Sequence, residues 1–461
     1  MSAIARLSEN APPLAAGARA GGSRRGWDAS AMLTVYLVLL LGVPSNLTVG
    51  ALAAIGRPSL LWGLLLFAWW GLSRLQPPSL DVRRIAQPVR LAMGAMIVIA
   101  LVSLTAALLR GQPADQISPA ITAVLRLLSW AGVALVAMDG LRTMHEVSRM
   151  IRRLVIAGGA LAALGIAQFV TGQTLLDVFS VIPGLSLEQG GVDARGAFTR
   201  SSGTATHPLE YATALSAILP LALATAISRG FRRTGGGGVL RWWIPVALIG
   251  LSSLLAVSRS AIIGMVVAVV ATIPGIPRRF RALVVVGGTA LAGVAVVAVP
   301  GLFGTMVGLF AGIGNDSSTS SRVDGLDRAG EFISTSPLVG NGFGIFLPRY
   351  YIFDNQWALL AVELGVLGVL AFAAVLGSGV WSAWHAGKVS GQDDVFLAGR
   401  ALTASLITIG VLYAFFDGLQ FPIAAGLPFL LIGLCCALRT VGETDARLAE
   451  SLQRTASRGE D

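Results

Sequence analysis

"DNQWALLAVELGVLGVLAFAAVLGSGV", residues 354–380, sets an acid and two amides directly against a run that stays oily for more than twenty residues. A helix needs roughly 20 mostly apolar residues to cross about 30 Å of hydrocarbon. Residues 356–380 therefore predict a membrane span with a polar mouth at Asp354, Asn355 and Gln356. Similar windows run along almost the whole chain, near 31–48, 58–73, 91–109, 120–138, 153–171, 208–228, 242–257, 261–275, 283–304, 401–417 and 420–438. The 461 residues are 54% hydrophobic and only 13% charged, with mean hydropathy +0.75, against about 25% charged in a soluble domain. The windows are rich in Leu, Ala, Val and Gly and show no period of two, which excludes barrel strands. The expected fold is all-α: a polytopic transmembrane helical bundle of about 12 helices.

Basic residues set the expected orientation, because Lys and Arg are retained on the cytoplasmic side. Both tails and the even-numbered connections collect them, including Arg24 and Arg25, Arg83 and Arg84, Arg152 and Arg153, Arg232 and Arg233, Arg278 and Arg279, and Arg439. By this count about 25 of the 34 basic residues face the cytoplasm, with both termini. Residues 1–30 read as a disordered cytoplasmic tail, 31–438 as the membrane domain and 439–461 as a second cytoplasmic tail. The net charge of +10 is then topology signal and contact with anionic membrane lipids. No aromatic-interleaved basic patch suggests nucleic acid. The only cysteines, Cys435 and Cys436, give no disulfide framework or zinc spacing. No metal or cofactor is expected.

On this topology the outer face has two substantial loops, near 172–207 and 301–355, the longer one preceding the tenth helix. Arg57, Arg110, Arg126, Arg195, Arg200, Arg259, Arg322, Arg328 and Arg349 fall outside the cytoplasmic set, so those near the membrane need a local reason. Arg259, in "LLAVSRSAIIGM", is either an interfacial anchor or an anion-binding group at head-group depth. Arg126, in "AVLRLLSW", either binds the same anion or pairs with an acid. In "NDSSTSSRVDGLDRAGEFIS" (residues 315–334), Ser321 and Asp324 have capping-box spacing, with an apolar face on Val323, Leu326, Ala329 and Phe332. A short surface helix is predicted there with Arg322 in its first turn, where free N–H groups favour phosphate. Arg322 could equally pair with Asp324 or Asp327.

"SR", a helix, "PLVGNGFGIF", a polar pair and "LAVELGVLG" resemble the O-antigen ligase and O-antigen polymerase family. Upstream, "ARGAFTRSSGTATHPLEYATAL" (194–215) is similar to that family's Arg-bearing, His-Pro loop, and "AVSRSAIIG" (256–264) to its Ser-Arg-Gly step. The opening apolar stretch looks like actinobacterial members linked to polysaccharide assembly. The resemblance implies a multi-pass glycosyltransferase of the plasma (inner) membrane, independent of metal. It would take a glycan from undecaprenyl diphosphate at the outer face and pass it to a hydroxyl on a glycan, lipid or protein acceptor. Other polysaccharide assembly proteins are implied as partners.

By the same resemblance Arg259 and Arg322 hold the diphosphate, and Arg195, Arg200, His207, Asn355, Gln356, Trp357 and Glu363 line the substrate site. The family's usual base is the His of a His-Asn pair. This chain has Asp354-Asn355 there, so the base is Asp354, with His207 the alternative on the outer side. A carboxylate can accept a proton as an imidazole does, and two guanidiniums can bind a leaving diphosphate through charge-assisted bonds. Helix capping by Asp354 is the plainer reading, and Trp357, Tyr350 and Tyr351 suit an interfacial belt as well as a sugar ring. Two other classes stay open: a transporter of lipid-linked sugars, and a structural partner of an assembly complex. Against transport, no internal repeat and no broken helix pair are evident.

Overall fold

The computed structural model describes residues 28–75, 85–187, 193–195, 198–231, 239–311 and 317–458. The predicted N-terminal tail lies outside these residues, apart from the start of the first helix. Among the described residues the helices are α1 (Ala29–Leu41), α2 (Pro58–Leu75), α3 (Pro88–Leu109), α4 (Ala114–Gly140), α5 (Met144–Thr171), α6 (Pro208–Ile227) and α7 (Trp243–Leu255). There follow α8 (Arg259–Thr272), α9 (Arg278–Ala298), α10 (Leu302–Ala311), α11 (Ser317–Ser334), α12 (Gln356–Val389), α13 (Asp393–Leu412) and α14 (Pro422–Arg458). Eight of them are long and apolar enough to cross a membrane: α3, α4, α5, α6, α9, α12, α13 and α14. The chain is a multi-pass, all-α membrane protein. Each of the other four predicted windows also holds a helix, three of them short: α1, α7 and α8.

Helix ends follow local chemistry. Asp28 caps α1 by accepting from Ser30 N–H at 3.2 Å, and Thr143 with Glu146 forms a reciprocal capping box on α5. The first apolar window extends to 48, but α1 stops at Leu41. The chain then passes Pro44 and forms strand β1 (Leu47–Val49), antiparallel to β2 (Leu185–Leu187) in the register Leu47↔Leu187. Strands β3 (Asp193–Arg195) and β4 (Phe198–Arg200) form a second small ribbon. At the other end of the sequence α14 runs without a break into the predicted C-terminal tail, to Arg458.

Burial separates an inner set of helices from a rim. Of the apolar windows, 94% is buried in α6 and 89% in α14, but only 11% in α9. Helix α9 therefore presents almost its whole surface outward, as does one face of α3 at Leu91 and Val98. Close approach of α2 and α4 rests on small residues: a Cβ at Gly132 would meet Phe67 N at 2.5 Å, and Ser129 Oγ donates to Leu60 O at 3.0 Å. Such contacts suit helix packing in lipid, where apolar burial gives little drive. Cys435 and Cys436 are packed thiols with no exposure.

The two ends of the bundle differ. At one end, β1 meets β2, Ser45 N–H donates to Thr204 O, and Arg110 at the end of α3 donates to Gly340 O and Ser336 Oγ. These bonds gather the connections after α1, α3 and α5 with residues 335–355. At the opposite end, Arg74 and Arg90 converge on Asp139, and Arg439 binds Glu443.

One helix departs from expectation. Helix α12 is broken at Gly365, whose φ of 66° and ψ of −169° leave the helical region. The break is filled by the "PLVGNGFG" segment: Asn341 N–H donates to Val362 O, Gly342 N–H to Glu363 O, Val366 N–H to Pro337 O and Leu367 N–H to Leu338 O. A Cβ at residue 365 would sit 2.4 Å from the Leu338 carbonyl, so only Gly allows the insertion. No local pattern announces a broken helix here; this single break is stabilised by the loop lying across it.

Candidate functional site

The mouth of α12 is stitched to the connection between α13 and α14. Asn355, not Asp354, is the cap: its Oδ1 accepts from Trp357 N–H at 2.9 Å and Ala358 N–H at 3.2 Å. Gln356 is buried; its N–H donates to Tyr413 O and Phe416 O, and its Oε1 accepts from Leu419 N–H at 2.7 Å. Trp357 donates from Nε1 to Gly410 O at 3.0 Å and packs against Phe372. These bonds hold α13 to an end at Leu412, five residues short of the predicted window, and leave Asp417 in a short connection. Asp354 is half-buried and relieved of capping duty. It stands within electrostatic reach of Asp417, whose carboxyl is pushed up to about 7 by burial and then by the Asp354 charge.

Asp417 lines a cavity of about 380 Å³ together with Gln420, Arg126, Phe346, Tyr351 and Phe353, the residue that precedes Asp354 in the chain. Its aromatic wall is a connected cluster, with Phe346 and Phe353 5.3 Å apart and Tyr351 and Phe353 5.1 Å apart. Arg328 lies over the Tyr351 ring at 5.5 Å. About two turns into α12, Glu363 is buried under the inserted loop and accepts backbone N–H groups of Gly344 and Phe346. Arg126 is within electrostatic reach of both Glu363 and Arg57, and its Nη1 donates to Gln420 Oε1 at 3.2 Å. Arg57 is also within electrostatic reach of the buried Glu210, so each guanidinium has a buried carboxylate near it. Arg57 and Arg126 also share a gap of about 20 Å³, room for about one water.

The remaining sequence candidates are spread around the same end. Arg259 is the first residue of α8, 8% exposed, beside Ala261 and Ala256, which pack on Ala212 in the second turn of α6. The capping-box spacing places Arg322 in the first turn of its helix, but α11 begins at Ser317, so it falls in the second. Its side chain lies outside the described residues, as does that of Arg195. Arg200 ends β4. His207 caps α6, its Nδ1 accepting from Leu209 N–H at 3.1 Å, with its ring 5.7 Å from Phe421.

Three features escaped the sequence reading. Asp417 could have been found by the logic applied to Arg259, as a charge in a short connection between two apolar windows. The facing of Arg57 and Arg126 joins the residue just before α2 to the middle of α4, and no local pattern marks it. Glu210, fully buried, accepts from Ser45 Oγ at 3.0 Å, Thr206 N–H at 2.9 Å and Ile423 N–H at 2.6 Å. It clamps the starts of α6 and α14 to the connection after α1.

Residues 244–373 match the family model described as O-antigen ligase, and over this stretch the chain is O-antigen ligase-like. The match runs from α7 into α12 and takes in Arg259, Arg322, Asp354 and Glu363. Asp417, Arg126 and His207 lie outside it. No curated protein matches the chain.

Proposed function

We propose that this protein transfers or polymerises a glycan from an undecaprenyl-diphosphate-linked donor onto an acceptor hydroxyl, at the outer face of the plasma membrane. The observation that supports this most is Asp417, coupled electrostatically to Asp354, in the lining of an aromatic, cation-bearing cavity, in a bundle whose α12 is broken inside the matched region. In this reading the bundle crosses the membrane twelve times, with Arg-rich connections and both termini in the cytoplasm.

Asp354 takes the proton of the acceptor hydroxyl. The acceptor oxygen then bonds to the anomeric carbon as the bond from that carbon to the diphosphate breaks. Arg259 and Arg322 carry the charge that develops on the departing lipid diphosphate, which needs no metal ion. Asp417, its carboxyl pushed up to about 7, is partly protonated near neutrality, and in that form it adds no second charge beside Asp354, since two adjacent carboxylates resist ionising together. Asn355, Gln356 and Trp357 act by fixing the start of α12, next to Asp354, and Glu363 by holding the inserted loop. Arg195, Arg200 and His207 border the substrate from the loop before α6.

Deleting the gene and analysing lipid-linked intermediates with the envelope glycans tests this reading. Single repeats with no long chains would mark a polymerase, and long lipid-linked chains left unattached a ligase. A broken helix is also a transporter feature; in that case the lipid-linked glycan would accumulate on the inner leaflet, and the glycosyltransferase reading would fail.

A further inference from the structure

At the end of the bundle opposite Asp354, α5 carries His145, Arg149, Arg152, Arg153 and Ile156. Their spacing of four, three, one and three residues puts them on one helix face. With Arg241, Trp242 and Pro245 at the start of α7 they line a groove of about 500 Å³, and no carboxylate is among the lining residues. Like charges one turn apart repel, so four guanidiniums here cost stability unless an anion joins them.

The groove is built rather than a loose scatter of surface arginines. Arg152 Nη1 donates to Gly230 O at 2.8 Å and Ser148 Oγ at 3.2 Å. Arg153 Nη1 donates to Ser30 O at 3.1 Å and Ser30 Oγ at 3.0 Å. Arg149 Nη2 meets His145 Nε2 at 2.6 Å, and Arg241 lies over the Trp242 ring at 5.3 Å. Trp242 is 7% exposed, and among the described residues its indole N–H has no acceptor. That nitrogen packs against Gly230, so the indole ring forms a fixed wall of the groove.

The flanks identify the source of that anion. Ile156 is 56% exposed, Ile244 54% and Leu240 76%, so an apolar strip borders the basic groove. A free phosphate would use the arginines and leave the strip wet, whereas a phospholipid uses both. The chain's neighbouring segments do not suit the groove: residues 232–238 open with Arg232 and Arg233, and the N-terminal segment carries Arg24 and Arg25. We propose that this groove binds the head group of an anionic phospholipid, with its phosphate on Arg149, Arg153 and Arg241 and its acyl chains along Ile156 and Ile244. The lipid would bridge α5 and α7 on the leaflet where anionic lipids attract basic side chains.

The test uses the full-length protein in neutral detergent, with phosphatidylglycerol, phosphatidylcholine and inorganic phosphate as probes, read by native mass spectrometry. Wild type should retain phosphatidylglycerol over phosphatidylcholine. Arg149→Gln with Arg241→Gln should weaken that binding roughly thirtyfold, at about 1 kcal/mol for each basic residue near the surface. Arg328→Gln with Arg349→Gln, which removes the same charge at the other end, should leave it unchanged. Should the first double variant not fold, Arg149→Gln alone carries the test with an effect of about fivefold. Equal retention by wild type and the Arg149 variants overturns the proposal. So does competition by inorganic phosphate at the lipid's own concentration, which would make this a simple anion site.

Discussion

Replacing Asp417 by Asn removes a carboxyl whose pKa is pushed up to about 7 by burial, with the neighbouring Asp354 charge adding to the effect. In an unfolded chain the same group ionises near 3.9. Between these values the unfolded state has released the proton and the folded state still holds it. Stability therefore falls as pH rises through this window, and levels off above the folded value. A separation of about three pKa units bounds the loss at roughly 4 kcal/mol. The amide of the Asp417→Asn variant is uncharged in both states and escapes it. Thermal unfolding of the two proteins in detergent should give curves that coincide near pH 4, diverge up to pH 7 and run parallel beyond, with the Asn variant melting several degrees higher at pH 8. Asp354→Asn should reduce the wild-type divergence, because it removes the charge that opposes ionisation of Asp417. A constant offset between the proteins from pH 4 to 8.5 would contradict this account, since Asp417 would then be ionised throughout.

The other expectations concern the reaction, the backbone and the orientation. Asp354→Asn should lower transfer at least about a hundredfold with donor binding retained, while Asp354→His should restore part of it. His207→Ala should cost about 1 kcal/mol of stability through the lost cap with little effect on turnover; an inactive His207→Ala beside an active Asp354→Asn would move the base to His207. Arg259→Ala and Arg322→Ala should each abolish donor-dependent transfer, and Arg259→Lys should still impair it because the bidentate fork is lost; normal product from both Ala variants at normal protein levels would remove them from the site. Gly365→Ala forces a Cβ to 2.4 Å from the Leu338 carbonyl at a φ of 66°, so melting temperature and activity should fall together, and an unchanged melting curve would count against the inserted loop as a rigid element. A tag at residue 235 should be protected in intact cells and one at 316 accessible, and the reverse pattern would invert the assignment of faces.

Membrane class is legible in the residue order, because the cost of placing polar groups in hydrocarbon leaves a local record in runs of about twenty residues. Each window from 31–48 to 420–438 holds a helix. The polar mouth at 354–356 is legible for the same reason, as a break in that local pattern. Which residue does what there is not: Asn355 rather than Asp354 caps α12, and Gln356 and Trp357 bind the backbone of α13 and its following turn. Capping and tethering depend on which backbone groups are left unpaired where distant segments meet, and residues more than fifty positions apart carry no mark of that meeting. It took the assembled bundle to set Asp417 beside Asp354, Arg57 beside Arg126, and the "PLVGNGFG" segment in the break at Gly365. Charge coupling and loop insertion act through space, and the chain's order encodes them only by way of the completed fold.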